Sequence, residues 1–253
     1  MFNDWLTIGP LTIHGYGFMI AVGVIVGLTV AERKARARGM SDSALDNMVW
    51  TGLICGLIGA KLLYLLVNLK EFLADPVRMI GSSGWVVYGG LICGVAGAWF
   101  YARRKHLAFM DYFNLAAPQI ALAQAFGRLG CFCAGCCYGR VTHSHFGVVF
   151  PAGSMAPAGV PLIPTQLISA LGNFTIFLFL HQLEKNEAYR DRTAVLYIML
   201  YSAGRFLIEF LRGDAERGAI GILSTSQFIA VLVFAMGILM YMYIRKRKVG
   251  NAE

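Results

Sequence analysis

Residues 13–38, IHGYGFMIAVGVIVGLTVAERKARAR, decide the fold class. From Ile13 to Ala31 the run is almost wholly apolar, and a hydrocarbon core of about 30 Å takes about 20 helical residues to cross. It then changes abruptly into ERKARAR, where Arg33, Lys34, Arg36 and Arg38 stand together, whereas the first twelve residues carry no cation. A signal peptide has the opposite polarity, with a basic start and a small-residue cleavage site, so this span is expected to stay uncleaved. Basic residues gather on the cytoplasmic side of a membrane helix, which places the N-terminus outside.

The rest of the chain extends that pattern. Of its 253 residues 57% are hydrophobic and only 14% charged, with a mean hydropathy of +0.61; a soluble domain would carry about a quarter charged residues. Six more apolar stretches, at about 45–67, 85–102, 108–130, 165–183, 193–211 and 221–244, bring the expected spans to seven. Fourteen of the 22 cations fall in four alternate segments: the one after the first span, then Arg103 to Lys105, Lys185 to Arg192, and Arg245 to Lys248. Five others, Lys70, Arg78, Arg140, Arg212 and Arg217, fall in the remaining connections. The sequence therefore predicts an all-α polytopic membrane protein of about seven transmembrane helices, N-terminus outside and C-terminus cytoplasmic. The net charge of +8 reads as orientation signals suited to an anionic leaflet, which excludes a nucleic-acid partner. No linker or low-complexity tract divides residues 1–253, so they form a single integral membrane domain. The longest connection, about 131–164, faces outward; a loop of that length is expected to be a folded cap or to handle a substrate.

Small residues repeat at helical spacing in Gly52-xxx-Gly56 and Gly90-xxx-Gly94, a pattern that lets membrane helices approach closely. Tyr88-Gly89-Gly90 has a second reading, in which the paired glycines bare the backbone to a ligand. Ionisable residues at membrane depth are costly unless they pair or line a wet cavity, which marks Arg128, Arg205 and Glu209. Arg205, Glu209 and Arg212 stand at i, i+4 and i+7, expected on one helical face with the carboxylate between two guanidiniums. This set reads either as a structural ion triad or, with Arg128, as a surplus of about two positive charges awaiting an anion. Arginine forks bind phosphate bidentately, and a membrane surface offers phospholipid headgroups. His14 and Tyr16 lie near the same outer interface, where an aromatic belt would also account for the tyrosine. Gln166 and Gln227 begin the fifth and seventh spans, and interhelical hydrogen bonding is their expected role. Lys61, deep in the second span, is expected to pair or snorkel.

Four of six cysteines crowd into GRLGCFCAGCCYGR, as Cys131, Cys133, Cys136 and Cys137. Their spacing is not one of the common zinc patterns, which draw on two separated pairs. Free thiols, a disulfide on the oxidising side and a metal site all remain open at this point.

These motifs resemble the prolipoprotein diacylglyceryl transferases. The likeness is carried by HGYGFM at 14–19, YGGLICG at 88–94, AP at 117–118, GRLGCFCAGCCYGR at 127–140, GVVFP at 147–151, PTQL at 164–167, GRFLIEFLRGD at 204–214 and SQ at 226–227. It implies a bacterial inner-membrane enzyme of seven spans that moves the diacylglyceryl unit of phosphatidylglycerol to the lipobox cysteine thiol of a prolipoprotein, releasing glycerol phosphate. The chain departs from the family pattern at three positions: Tyr88 stands where the family has His, Cys131 where it has Asn, and Ser169 where an acidic residue is usual. It resembles a divergent member or paralogue.

The reaction so implied is displacement at an sp³ carbon by a thiolate, with a phosphate ester leaving. Arg128 and Arg205 would hold the phosphate and offset charge growing on the leaving oxygen. Tyr88, Tyr16 and His14 are the candidate bases, Glu209 and Arg212 orient the arginines, and Gly89, Gly90 and Gln166 contribute to substrate binding. No metal or organic cofactor is called for. Two other readings stand beside it: thiol redox or metal handling by the four cysteines, and phospholipid binding or transport without chemistry.

Overall fold

The computed structural model describes residues 3–9, 11–214 and 218–250; Arg217 lies outside them. An N-terminal hairpin of β1 (Asp4–Ile8) and β2 (Leu11–His14) leads into α1 (Gly15–Ala37). Next come α2 (Asp42–Val67), the short α3 (Leu69–Ala74) and α4 (Pro76–Gly81), then α5 (Val87–Arg104) and α6 (Phe109–Ala134). A loop carrying β3 (Val148–Val149) and β4 (Pro161–Leu162) precedes α7 (Thr165–Leu183). A 3-10 turn (Glu187–Arg192), α8 (Thr193–Glu209), the hairpin β5 (Ala219–Ile220) and β6 (Leu223–Ser224), and α9 (Thr225–Gly250) complete the chain.

Seven long helices thus coincide with the seven apolar stretches. Among the described residues four are long and apolar enough to cross a membrane: α1, α2, α7 and α9 over Thr225–Lys246. The other three depart from that composition. α6 carries Asn114, Gln119, Gln124 and Arg128, α8 carries Arg205 and Glu209, and α5 is glycine-rich and ends in Arg103 and Arg104. Large apolar side chains such as Leu66 at 64% and Leu171 at 67% exposure point outward, as a lipid-facing surface requires and a soluble one avoids.

The chain forms two compact units, one of Met1–Val30 with Phe113–Glu253 and one of Ala31–Tyr112. In the second, α2 and α5 meet through glycines. A Cβ added to Gly90 would lie 3.2 Å from the Gly56 carbonyl oxygen, and one on Gly52 3.3 Å from that of Gly94. Gly89 abuts Gly59 and Leu63 in the same seam. Gly89 and Gly90 therefore face a neighbouring helix, as the packing reading of this run expects. Lys61 donates to the Ser82 carbonyl oxygen at 2.6 Å and lies over the rings of Tyr64 and Trp85, so its charge is met by a folded turn.

In the first unit α1 packs on α6 by the same device: Gly23 abuts Ala123 and Phe126, and Gly27 meets the Gln119 carbonyl oxygen. A core of Ala117, Ala121, Leu180, Ala194 and Tyr197 joins α6, α7 and α8. Asn114 locks the start of α8, accepting from Ala194 N–H at 2.9 Å and donating to the Asp191 carbonyl oxygen at 3.1 Å. The loop after α6 has its own small core of Phe150, Ala156 and Leu162 against Phe132, Tyr138, Val148 and Val160.

Candidate active site

α6 and α8 face each other at two levels one helical turn apart. Gln124 stands beside Tyr197, and Arg128 beside Tyr201. Residues four apart share a helical face, so Tyr197, Tyr201, Arg205 and Glu209 follow one another down α8. The rings of Tyr197 and Tyr201 stack with centroids 5.9 Å apart. Arg128 therefore meets α8 one turn before Arg205. Both guanidinium residues line a cavity of about 240 Å³ with Ser169, Gly172, Asn173 and Tyr201; Ile168, Ile176, Leu207, Ile208 and Leu211 complete its apolar walls.

Arg205 is partly buried, its side chain 18% exposed against 6% for Glu209. It donates to Glu209 Oε2 at 2.5 Å and to Ser226 Oγ at 2.9 Å. Arg212 does not share that carboxylate as the heptad spacing suggested. α8 ends at Glu209, and the chain beyond it pairs with the loop after α6: Arg140 N–H donates to the Leu211 carbonyl oxygen at 2.9 Å and Gly213 N–H to that of Tyr138 at 3.2 Å. Asp214 then holds the Arg212 guanidinium bidentately at 3.0 and 2.6 Å. Among the described residues Arg205 pairs with Glu209 and Arg212 with Asp214, while Arg128 stands beside the Tyr201 phenol.

Three of the four clustered cysteines converge. The Sγ atoms of Cys131, Cys136 and Cys137 lie within 4.8 Å of one another. Cys133 does not join them: two residues apart on a helix, side chains point about 200° apart, and Cys133 lines a separate cavity of about 140 Å³ with Asp4 and Met155. The turn after α6 is made by Gly135 and Cys137, both at positive φ (72° and 59°). Its carbonyls are pinned from α7, Thr165 Oγ1 donating to that of Cys137 at 2.7 Å and Gln166 Nε2 to that of Cys136 at 2.8 Å. Gln166 is thus a buried brace for this turn. Hydrogen bonds from the Cys131 and Cys136 thiols hold the Cys137 thiol well below the usual thiol range, with burial opposing and Arg212 assisting. The bonds Cys136 makes to Cys131 and Cys137 push its own thiol up. Burial works against the Arg212 charge, but Asp214 and Cys137 more than offset it and raise its pKa.

Tyr16, in the first turn of α1, stands against this group. Its backbone abuts Gly130, and its phenol is close enough to Arg128, Cys131, Cys136 and Cys137 to feel their charge. His14 sits on the exposed hairpin, its Nδ1 2.7 Å from Asp4 Oδ1. Tyr88 lies in the second unit, in the first turn of α5, 39% exposed. Gln227 is a capping residue: its Oε1 accepts from Ser224 N–H at 3.1 Å while Ser224 Oγ accepts from Gln227 N–H at 3.1 Å, the reciprocal box of a helix start. Sequence reasoning missed Tyr201 and Asn173. Tyr201 was within reach, being four residues before Arg205.

The family described as prolipoprotein diacylglyceryl transferase matches residues 4–243. The chain belongs to the prolipoprotein diacylglyceryl transferase family. A relative named phosphatidylglycerol–prolipoprotein diacylglyceryl transferase 2, from Clostridium perfringens, is 40% identical over 233 residues, covering 91% of each chain. A phosphatidylglycerol–prolipoprotein diacylglyceryl transferase of Clostridium tetani is 38% identical, covering 94% of this chain and 96% of its own. One from Clostridioides difficile is 30% identical over 97% of this chain. In this chain Arg128, Arg205 and Tyr201 line one cavity, and Tyr16 shares the neighbourhood of Arg128.

Proposed function

We propose that the protein is a diacylglyceryl transferase of the bacterial cytoplasmic (inner) membrane. It moves the diacylglyceryl group of phosphatidylglycerol to the lipobox cysteine thiol in a prolipoprotein signal peptide. Seven helices cross the bilayer, with the N-terminus and the 131–164 cap outside and the C-terminus in the cytoplasm. The observation that carries this reading is the cavity lined by both arginines and by the aliphatic side chains of Ile168, Ile176, Leu207, Ile208 and Leu211. A phospholipid has that division, and its phosphodiester bears a negative charge that Arg128, which has no carboxylate partner among the described residues, can meet.

In the reaction a sulfur–carbon bond forms on the glycerol carbon, the carbon–oxygen bond to phosphate breaks, and glycerol phosphate leaves with the electron pair. Arg128 and Arg205 donate to the phosphate oxygens as charge builds on the leaving group, in surroundings where water screens little. Glu209 and Ser226 fix the plane of Arg205, and Tyr201 fixes that of Arg128. Tyr16, beside Arg128, donates to the phosphate as a neutral phenol or relays the acceptor thiol proton; Tyr88 and His14 are the other groups proposed for that proton.

The test is turnover by purified protein in phosphatidylglycerol vesicles with a lipobox peptide. Peptide gaining a diacylglyceryl thioether together with released glycerol phosphate supports the reading. Lipid binding without either product replaces it with a non-catalytic phospholipid-binding protein.

A further inference from the structure

We propose that Cys131, Cys136 and Cys137 form a binding site for one thiophilic d¹⁰ cation, Zn²⁺ or Cu⁺. Their sulfurs lie within 4.8 Å of one another. In a tetrahedral thiolate site with metal–sulfur bonds of about 2.3 Å, sulfurs stand roughly 3.8 Å apart, so side-chain rotation closes the set without moving the backbone. Thiolates select such cations over the hard Mg²⁺ and Ca²⁺, which prefer oxygen.

The scaffold is built to a degree that three packed thiols do not require. Cys131 comes from the last turn of α6, and the reversal that brings Cys136 and Cys137 back to it depends on a non-glycine residue at positive φ, Cys137 itself. That conformation is unfavourable for an L side chain and persists only where the surroundings over-determine it. Here they do: Cys136 N–H donates to the Cys131 carbonyl oxygen at 3.2 Å, while Thr165 and Gln166, each 1% exposed, hold the carbonyls of Cys137 and Cys136. The Arg212 guanidinium lies close enough to Cys137 for its charge to favour a thiolate there, as a group outside the ligand set. Arg128 is close enough to Cys131 and Cys137 to feel their charge. Binding releases the thiol protons to solvent. With Cys133 in another cavity, Zn²⁺ would keep its fourth position open, and Cu⁺ would be three-coordinate.

The site is independent of the transferase reading, and its test does not depend on turnover. Protein purified in detergent, reduced and freed of metal, is titrated with Cd²⁺ as a probe for Zn²⁺, and separately with Cu⁺ under anaerobic conditions. The expected result is one equivalent per chain, read by the ultraviolet sulfur-to-cadmium charge-transfer band. Maleimide labelling followed by peptide mass spectrometry should show Cys131, Cys136 and Cys137 protected and Cys133 still labelled. Cys136→Ser and Cys137→Ser should each weaken binding about 100-fold or more, and Cys133→Ser should leave it within about twofold. Should the serine variants fold poorly, the labelling pattern of the unmodified protein decides alone. Equal labelling of all four thiols with and without cation overturns the proposal, as does binding that survives Cys137→Ser. Thiols that label only after reductant overturn it too, in favour of a disulfide.

Discussion

If Arg128 and Arg205 grip the same phosphate, replacing both with lysine should cost less than the two single losses added together. Arg205 spends its fork on Glu209 Oε2 at 2.5 Å and Ser226 Oγ at 2.9 Å; lysine keeps the charge but presents a point donor that cannot hold both and reach a ligand. Hydrogen bonds to charged groups are worth about 1.5–3 kcal/mol, so losing about one of them puts Arg205→Lys at about 2–3 kcal/mol. At 1.36 kcal/mol per tenfold that is roughly a 30- to 150-fold fall in kcat/KM. Arg128→Lys loses the planar fork beside Tyr201 and one oxygen of the phosphate, and falls in the same range. The double variant should be milder than the sum by about 1 kcal/mol, within the coupling found for residues that share a partner. The assay is steady-state turnover of phosphatidylglycerol by purified single and double variants at matched folded amounts. Losses made mainly in the transition state lower kcat with kcat/KM, whereas loss of headgroup affinity alone raises KM. Additivity within about 0.4 kcal/mol, or a near-normal rate for either lysine variant, would refute the shared phosphate.

Tyr201→Phe removes the oxygen that orients Arg128 and should lower kcat/KM about 10- to 100-fold; an unchanged rate at normal protein levels would detach Tyr201 from the site. Tyr88→Phe should impair transfer, because Tyr88 stands where the family has histidine; full activity would dismiss its hydroxyl as base or donor. A reporter fused after Lys248 should read as cytoplasmic, and an external reading would overturn the proposed seven crossings. Gly90→Leu forces bulk against the Gly56 carbonyl and should destabilise the α2–α5 seam by about 1–3 kcal/mol, seen as a lower Tm in detergent; an unaltered Tm would mean the seam is loose.

The long helices were legible because apolar runs set their positions, and boundaries failed where local geometry overruled composition. The fourth stretch was expected to stop at 130, yet α6 runs to Ala134: Gly130 is used for contact with Tyr16, and Gly135, at positive φ, makes the turn. Arg205 and Glu209 were readable at i and i+4, and they pair. Arg212 was not, because a spacing rule holds only while the helix lasts and α8 ends three residues earlier. Ser169 was singled out as a departure and lines the cavity. The convergence of Cys131 with Cys136 and Cys137 rests on two positive-φ residues, Gly135 and Cys137, that no periodicity announces, whereas the departure of Cys133 follows from its place two residues along the helix. The α1–α6 seam could have been found: Gly23-xxx-Gly27 repeats the pattern noted at Gly52 and Gly90.

The main-chain pairing of residues 138–140 with 211–213 also bears on how the site would look to a mutational scan. The bond from Arg140 N–H to Leu211 and that from Gly213 N–H to Tyr138 use atoms that every residue except proline carries. Alanine at Arg140 would forfeit only its side-chain contact to the Arg212 carbonyl oxygen at 3.4 Å, so conventional scanning would score this junction as tolerant. Proline at the same position deletes the donor itself and would remove one of the two main-chain bonds that fasten the segment carrying Cys136 and Cys137 to the one carrying Arg212. A map of indispensable side chains would therefore leave blank the seam that keeps the cysteine turn and the end of the arginine helix in register.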